Sequence, residues 1–285
     1  MDFRSIVVAT LSGCIDLLHW GNLELMNNLR TYGTPPYQVA VIHGGPGAPG
    51  EMAPVARELA SLCGVLEPLQ TKATLREQVE ELRSVVIENG QLPITLIGYS
   101  WGAMLGYIFA AHHPALVKKL IMVSSGVFEE QYAATIMETR LSRLTEEARA
   151  RLDALMGALD DPANSDKNAT FAEFGEILSG ADSFDPLPHT NEVMECEFAL
   201  FDNVWNDAQE LRKSGELVAM GRSIQCPVVA IHGDYDPHPS EGITIPLSRV
   251  VKDFRFHLLT HCGHHPWYEK EAREPFYALL KQELQ

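Results

Sequence analysis

Apolar residues recur along this chain with two different periods. Short continuous runs at Tyr37 to His43, Gly64 to Leu69, Ile94 to Ile97 and Leu116 to Ser124 read as strands covered on both faces. Between them the spacing turns helical, over Glu51 to Leu62 and Thr74 to Glu88. In the second, Leu75, Val79, Leu82 and Val86 share one stripe of an amphipathic helix, and Gly90 stops it. Ser5 to Leu11 reads as a first strand, and Ala103 to Ala111 as a helix rich in small residues. Strands that alternate with helices predict an α/β fold with a mostly parallel, doubly covered sheet.

The pattern changes after Gly126. Up to Arg222 it holds helical spacing and no convincing strand. Ile136, Leu141 and Leu144 fall at helical intervals, as do Leu152, Leu155, Met156 and Leu159, and Glu192 to Leu211 reads as one further helix. Asp160-Asp161-Pro162 and Phe184-Asp185-Pro186-Leu187-Pro188 read as breaks. The alternation then resumes, with strands at Pro227 to His232 and Phe254 to Leu259 and a final amphipathic helix over Pro266 to Leu284. The expected organisation is a core of residues 1–126 and 223–285, interrupted by a helical cap at 127–222. Such an insert sits at the carboxyl ends of the strands, where open α/β sheets bind ligands.

The chain has 285 residues, room for a well-buried core, and a net charge of -16. That charge argues against a nucleic-acid partner and against docking on anionic lipid. Most of it falls on residues 127–222, which hold 20 Asp and Glu against 8 Lys and Arg. No apolar run reaches the roughly 20 residues of a membrane helix. Leu11-Ser12-Gly13-Cys14 has the form of a lipoprotein processing box. The apolar run before it is short, however, and the leading residues carry no net positive charge. The five cysteines are scattered without a C-x-x-C pair, which fits reduced thiols in a cytoplasmic protein.

Gly98-Tyr99-Ser100-Trp101-Gly102 has the form G-x-S-x-G between an expected strand and an expected helix, the context of a nucleophile elbow. A Cβ at either glycine would collide with the neighbouring strand or helix. Three other loops end strands of the same sheet. His43-Gly44-Gly45-Pro46-Gly47 is glycine-rich enough for backbone N–H groups to approach an oxyanion. Gly44 or Gly45 would supply one amide and Trp101, just after the serine, the other. In that loop His43 reads as a structural histidine. His232-Gly233-Asp234-Tyr235-Asp236-Pro237-His238 offers an acid, Asp236 in preference to Asp234, the latter read as loop-shaping. Cys262-Gly263-His264-His265-Pro266-Trp267 offers a base, His264 in preference to His265 or His261. The order Ser, Asp, His suits an acyl-transfer triad.

These motifs resemble the α/β-hydrolase superfamily, and His43 to Gly47 with Gly98 to Gly102 look most like its proline-iminopeptidase-like branch. The resemblance spans the chain from about residue 30 onward. It implies an eight-stranded sheet, a helical cap after the sixth strand and a triad of Ser100, Asp236 and His264 that needs no cofactor and no metal. The expected activity is hydrolysis of an ester, amide or peptide bond in a small molecule or short peptide. An acidic cap would favour a substrate amine. Aminopeptidases of that branch hold the amine with cap carboxylates, and Phe201 to Asn206 is the nearest aromatic-acidic stretch, although it reads first as a helix packing face. Two other readings stand beside this one: a non-catalytic ligand sensor on the same fold, and a metal-dependent hydrolase suggested by the close spacing of His232, Asp234, Asp236 and His238.

Overall fold

The computed structural model describes residues 28–190, 192–194 and 197–285. The strand expected at Ser5 to Leu11 and the segment around Cys14 lie outside them. In chain order the elements are β1 (Leu29–Tyr32), β2 (Tyr37–Ile42), α1 (Ala53–Leu59), β3 (Gly64–Pro68), α2 (Leu75–Asn89), β4 (Gly90–Tyr99), α3 (Trp101–His112) and β5 (Val117–Val123). A helical block follows: α4 (Glu130–Arg143), α5 (Glu146–Asp160), α6 (Lys167–Asp182), α7 (Phe198–Ser214) and α8 (Glu216–Ala219). The chain closes with β6 (Val228–Gly233), α9 (Glu241–Val250), β7 (Phe254–Leu259) and α10 (Arg273–Glu283).

Seven strands, not eight, form the sheet among the described residues, in the order β1-β3-β2-β4-β5-β6-β7. The edge strand β1 runs antiparallel to β3; the other pairings are parallel. The helical block follows the fifth of these strands. The carboxyl halves of the central strands are mostly apolar because each feeds two cores. Ala40, Ile42, Leu96, Leu120, Met122 and Ala230 pack on one face with α2, α3 and the helical block. Val41, Ile97, Ile121, Val123, Val229 and Ile231 pack on the other, where α1 and α10 contribute Leu59 and Phe276. The period-two alternation of a strand is thus present, with apolar side chains required on both sides.

Thr74 caps the start of helix α2. Thr74 Oγ1 accepts the Glu77 amide at 3.3 Å and donates to Glu77 Oε2 at 2.8 Å. Two helix boundaries and one whole helix stand out as different from the sequence pattern. The helix expected from Glu192 begins at Phe198, because Met194 and Glu197 bond to the glycine-rich loop instead. Met194 N donates to Pro49 O at 2.9 Å and Glu197 N to Gly47 O at 3.1 Å. The last helix begins at Arg273, not Pro266, since the backbone from 263 to 270 is tied to the end of α6. Helix α9 was not expected, because Pro246 stands inside it. Proline has no N–H to return to the carbonyl four residues back, and that carbonyl, Gly242 O, accepts Phe128 N at 3.0 Å instead.

Candidate active site

Ser100 sits between β4 and α3 with φ 50° and ψ -113°, a conformation that L-residues avoid. Close packing explains how it is held. A Cβ on Gly98 would strike Gly102 O and the Ala103 Cα, and one on Gly102 would strike the carbonyls of Ile42 and His43. Ser100 N also donates to Val123 O at 2.9 Å. The hydroxyl is thereby lifted to the carboxyl ends of the strands, at 2% exposure.

Two other loops meet it there. The loop after β6 brings Asp236 and the loop after β7 brings His264. His264 Nδ1 lies 2.7 Å from Asp236 Oδ2, and its Nε2 lies 3.1 Å from Ser100 Oγ. The carboxylate accepts only, so Nδ1 carries the proton and Nε2 is left to accept from the serine hydroxyl. Asp236 and His264 are both buried.

A model of the alpha/beta hydrolase fold family matches residues 39–271, which takes in all three of these side chains. The chain belongs to the alpha/beta hydrolase fold family. It is 23% identical to a proline iminopeptidase from Lactobacillus delbrueckii subsp. lactis over 292 aligned residues, covering 90% of this chain and 93% of that one. The crystal structure of VinJ superposes with a TM-score of 0.63 at 20% identity, covering 90% of this chain and 93% of the other. A proline iminopeptidase from Mycobacterium smegmatis does so with a TM-score of 0.57 at 20% identity and the same coverage.

Within this hydrolase fold the other expected residues take distinct places. Asp234 is exposed and accepts Cys262 N at 3.2 Å, so it shapes the loop and stands apart from the His232, Asp236 and His238 cluster. His261 is on the surface, paired with Glu271 at 2.8 Å. His265 is buried against Glu51, with Nε2 3.3 Å from Oε1. His43 Nδ1 lies 2.7 Å from Gly44 O. The two glycine amides differ: Gly44 N donates to Glu51 Oε2 at 3.1 Å, which leaves Gly45 as the loop residue whose amide Glu51 does not take. Trp101 is the first residue of α3, where a helix N–H has no intrahelical acceptor.

The electrostatics follow from burial. Burial pushes His264 down to about 4, against the opposing pull of Asp236, so the imidazole is neutral near pH 7. Burial also disfavours charge on Asp236, but the imidazoles of His264, His232 and His238 hold it well below the usual carboxylate range. His43 is likewise pushed down to about 4 by burial. Glu51 is raised by burial against its hydrogen bonds to His265 and Gly44.

The sequence pattern missed three supporting groups, Glu269, Asp182 and Glu51, and pointed to a fourth, His238, only as a candidate metal ligand. Glu269 is buried, and its carboxylate accepts the amides of Gly263 at 3.0 Å, Phe184 at 2.8 Å and Asp185 at 2.8 Å. It thereby ties the base loop to the end of the helical block. Asp182, the last residue of α6, gives its carbonyl to His264 N at 2.9 Å and its carboxylate to Arg140 of α4 at 2.8 and 2.7 Å. This ion pair is fully buried. Glu51 bridges the glycine-rich loop to the base loop, and His238 shares Asp236. Only the short Asp-Pro-His spacing could have flagged any of these from sequence. A surface cleft of about 670 Å³ lined by Gln38, Cys63, Lys118 and Gln285 opens where β2, β4 and β5 begin, and it holds none of these groups.

Proposed function

We propose that the protein is a serine hydrolase that cleaves an ester, amide or peptide bond through an acyl-enzyme, with Ser100 as nucleophile, His264 as general base and Asp236 as the acid that orients it. The observation that carries this reading is the continuous chain from Ser100 Oγ through the His264 ring to Asp236, at 3.1 and 2.7 Å. As Ser100 attacks a carbonyl, His264 Nε2 takes its proton and Asp236 stabilises the imidazolium. The amides of Gly45 and Trp101 hold the developing oxyanion, aided by the positive end of α3. The imidazolium then protonates the leaving group, and the freed base activates water for deacylation.

The helical block at 127–222 serves as the cap in this scheme. Its Met194 and Glu197 amides bond to the glycine-rich loop, and the buried site requires the cap to open for substrate. The likeness to a proline iminopeptidase and the acidic cap favour a substrate with a free amine, so aminopeptidase-like activity is the preferred branch. Hydrolysis of p-nitrophenyl acetate and L-proline p-nitroanilide by wild type and Ser100→Ala tests both levels. Turnover of either compound that vanishes in the variant supports the serine hydrolase. Preference for the anilide supports the aminopeptidase branch. Turnover that survives Ser100→Ala, or that a chelator abolishes, overturns the scheme in favour of metal-assisted hydrolysis. Absence of turnover and of any active-site labelling favours a ligand sensor.

A further inference from the structure

We propose that His238 is a positioning residue of this site: it occupies one oxygen of Asp236 while His264 occupies the other, and so keeps the base unprotonated. The inference rests on the triad reading above. Asp236 Oδ1 accepts the His238 ring at Nδ1, 2.7 Å away, and the His238 amide at 2.9 Å. Oδ2 accepts His264 Nδ1 at 2.7 Å. Pro237 between the two fixes the backbone so that both donors of His238 fold back onto the carboxylate. His238 is 1% exposed, and its ring stacks on that of His264 with centroids 4.7 Å apart at 26°. The His238 carbonyl in turn accepts His232 Nε2 at 2.7 Å, which fixes the loop from β6.

One carboxylate thus serves two imidazoles, and it can fully stabilise only one imidazolium. Each donor on Oδ1 draws charge from the carboxylate, leaving less to stabilise a proton on His264. Removing the His238 donor concentrates charge toward Oδ2 and raises the basicity of His264. The direct effect of the neighbouring His238 ring has the same sign, since it lowers His264. The other ionisable groups around His264 are Asp182 at the end of α6, His265 beside it, Glu51 behind His265, and His232, whose Nε2 is 3.6 Å from Asp236. The variants below leave all of them in place.

The test is a pH titration of the His264 ring by NMR in the full chain labelled at histidine Cε1, with the resonance assigned by its loss in His264→Gln. His238→Phe keeps a stacked ring without the donor, and His238→Gln keeps a donor without the ring. The expected result is a His264 midpoint raised by about one pH unit in His238→Phe, the size of one hydrogen bond to a charged group, and less than about half of that in His238→Gln. An unchanged midpoint in His238→Phe, or an equal rise in both variants, overturns the proposal. If His238→Phe does not fold, the wild type decides: two downfield Nδ1–H resonances that both move in Asp236→Asn support sharing, and one alone contradicts it. The acid limb of ester hydrolysis should move with the midpoint, which a packing role alone would not produce. A midpoint that moves in a protein with no hydrolysis and no reaction with fluorophosphonate leaves the shared carboxylate standing and removes the serine-hydrolase reading.

Discussion

The Ser100 side and the His264 side of the candidate site are built by different physics. Ser100 is held by backbone. Its left-handed φ of 50° persists because two glycines let α3 close against β2 and β4 without room for a single methyl group. His264 is held mainly by side chains, Asp236 on its ring and Glu269 on the amide of the residue before it, with the Asp182 backbone carbonyl on its own amide. A backbone constraint needs particular residue types at fixed spacing, so it leaves a motif. A side-chain network draws on groups far apart in sequence and leaves almost none. The comparison also predicts different failures. Substitutions at the glycines around Ser100 should fail by backbone collision, whereas those around His264 should fail by stranding buried polar groups.

The largest effect tests the chemistry itself. Ser100→Ala should lower kcat on the order of 10⁶-fold with an unchanged melting temperature, read by ester hydrolysis and calorimetry side by side. Asp236→Asn should lower kcat by about 10⁴-fold through loss of the correct tautomer. Asp234→Asn, which touches only the Cys262 amide, should change it by less than about tenfold, the energy of one ordinary hydrogen bond. The reverse ranking would place the acid on the wrong residue.

Two stability measurements sharpen the contrast further. Arg140→Met strands the Asp182 carboxylate in a fully buried position and should cost about 3–5 kcal/mol in denaturant unfolding, with the base loop disturbed at the same time. Gly98→Ala forces a methyl group against the Gly102 carbonyl and should cost about 3 kcal/mol or fail to fold. The smallest effect is a displaced pH limb. Because burial lowers His264 to about 4, the base stays neutral and active as pH falls through 6.5, the value of a free imidazole. The acid limb of kcat/KM should therefore lie near pH 4 to 5. A limb at 6.5 would mean that His264 is solvated in the working enzyme.

The same division explains what the sequence made legible. The strands from Tyr37 to Val123 and the order of the three site loops were readable, because doubly buried strands are continuous apolar runs and tight turns demand glycine. Asp236 was separable from Asp234 because a carboxylate must travel a few residues past its strand to face the serine. That Glu51 reaches back to the Gly44 amide and not to that of Gly45 was not readable. Nor was the start of α7, where the amides of 194 and 197 bond the glycine-rich loop in preference to a further helical turn. Helix α9 was hidden by Pro246, whose missing hydrogen bond is replaced by a contact from Phe128, more than a hundred residues away. For both helices the deciding partner is more than a hundred residues away, and local pattern holds no trace of it; Glu51 is only seven residues from Gly44, but nothing in the spacing says which amide it takes.

The central claim is that Ser100 is an activated nucleophile. Intact-mass analysis after fluorophosphonate treatment, on wild type and Ser100→Ala in parallel, tests it most directly. The account predicts a single adduct on wild type that is absent from the variant. A folded wild type that gains no mass, or an adduct that persists in Ser100→Ala, would contradict it.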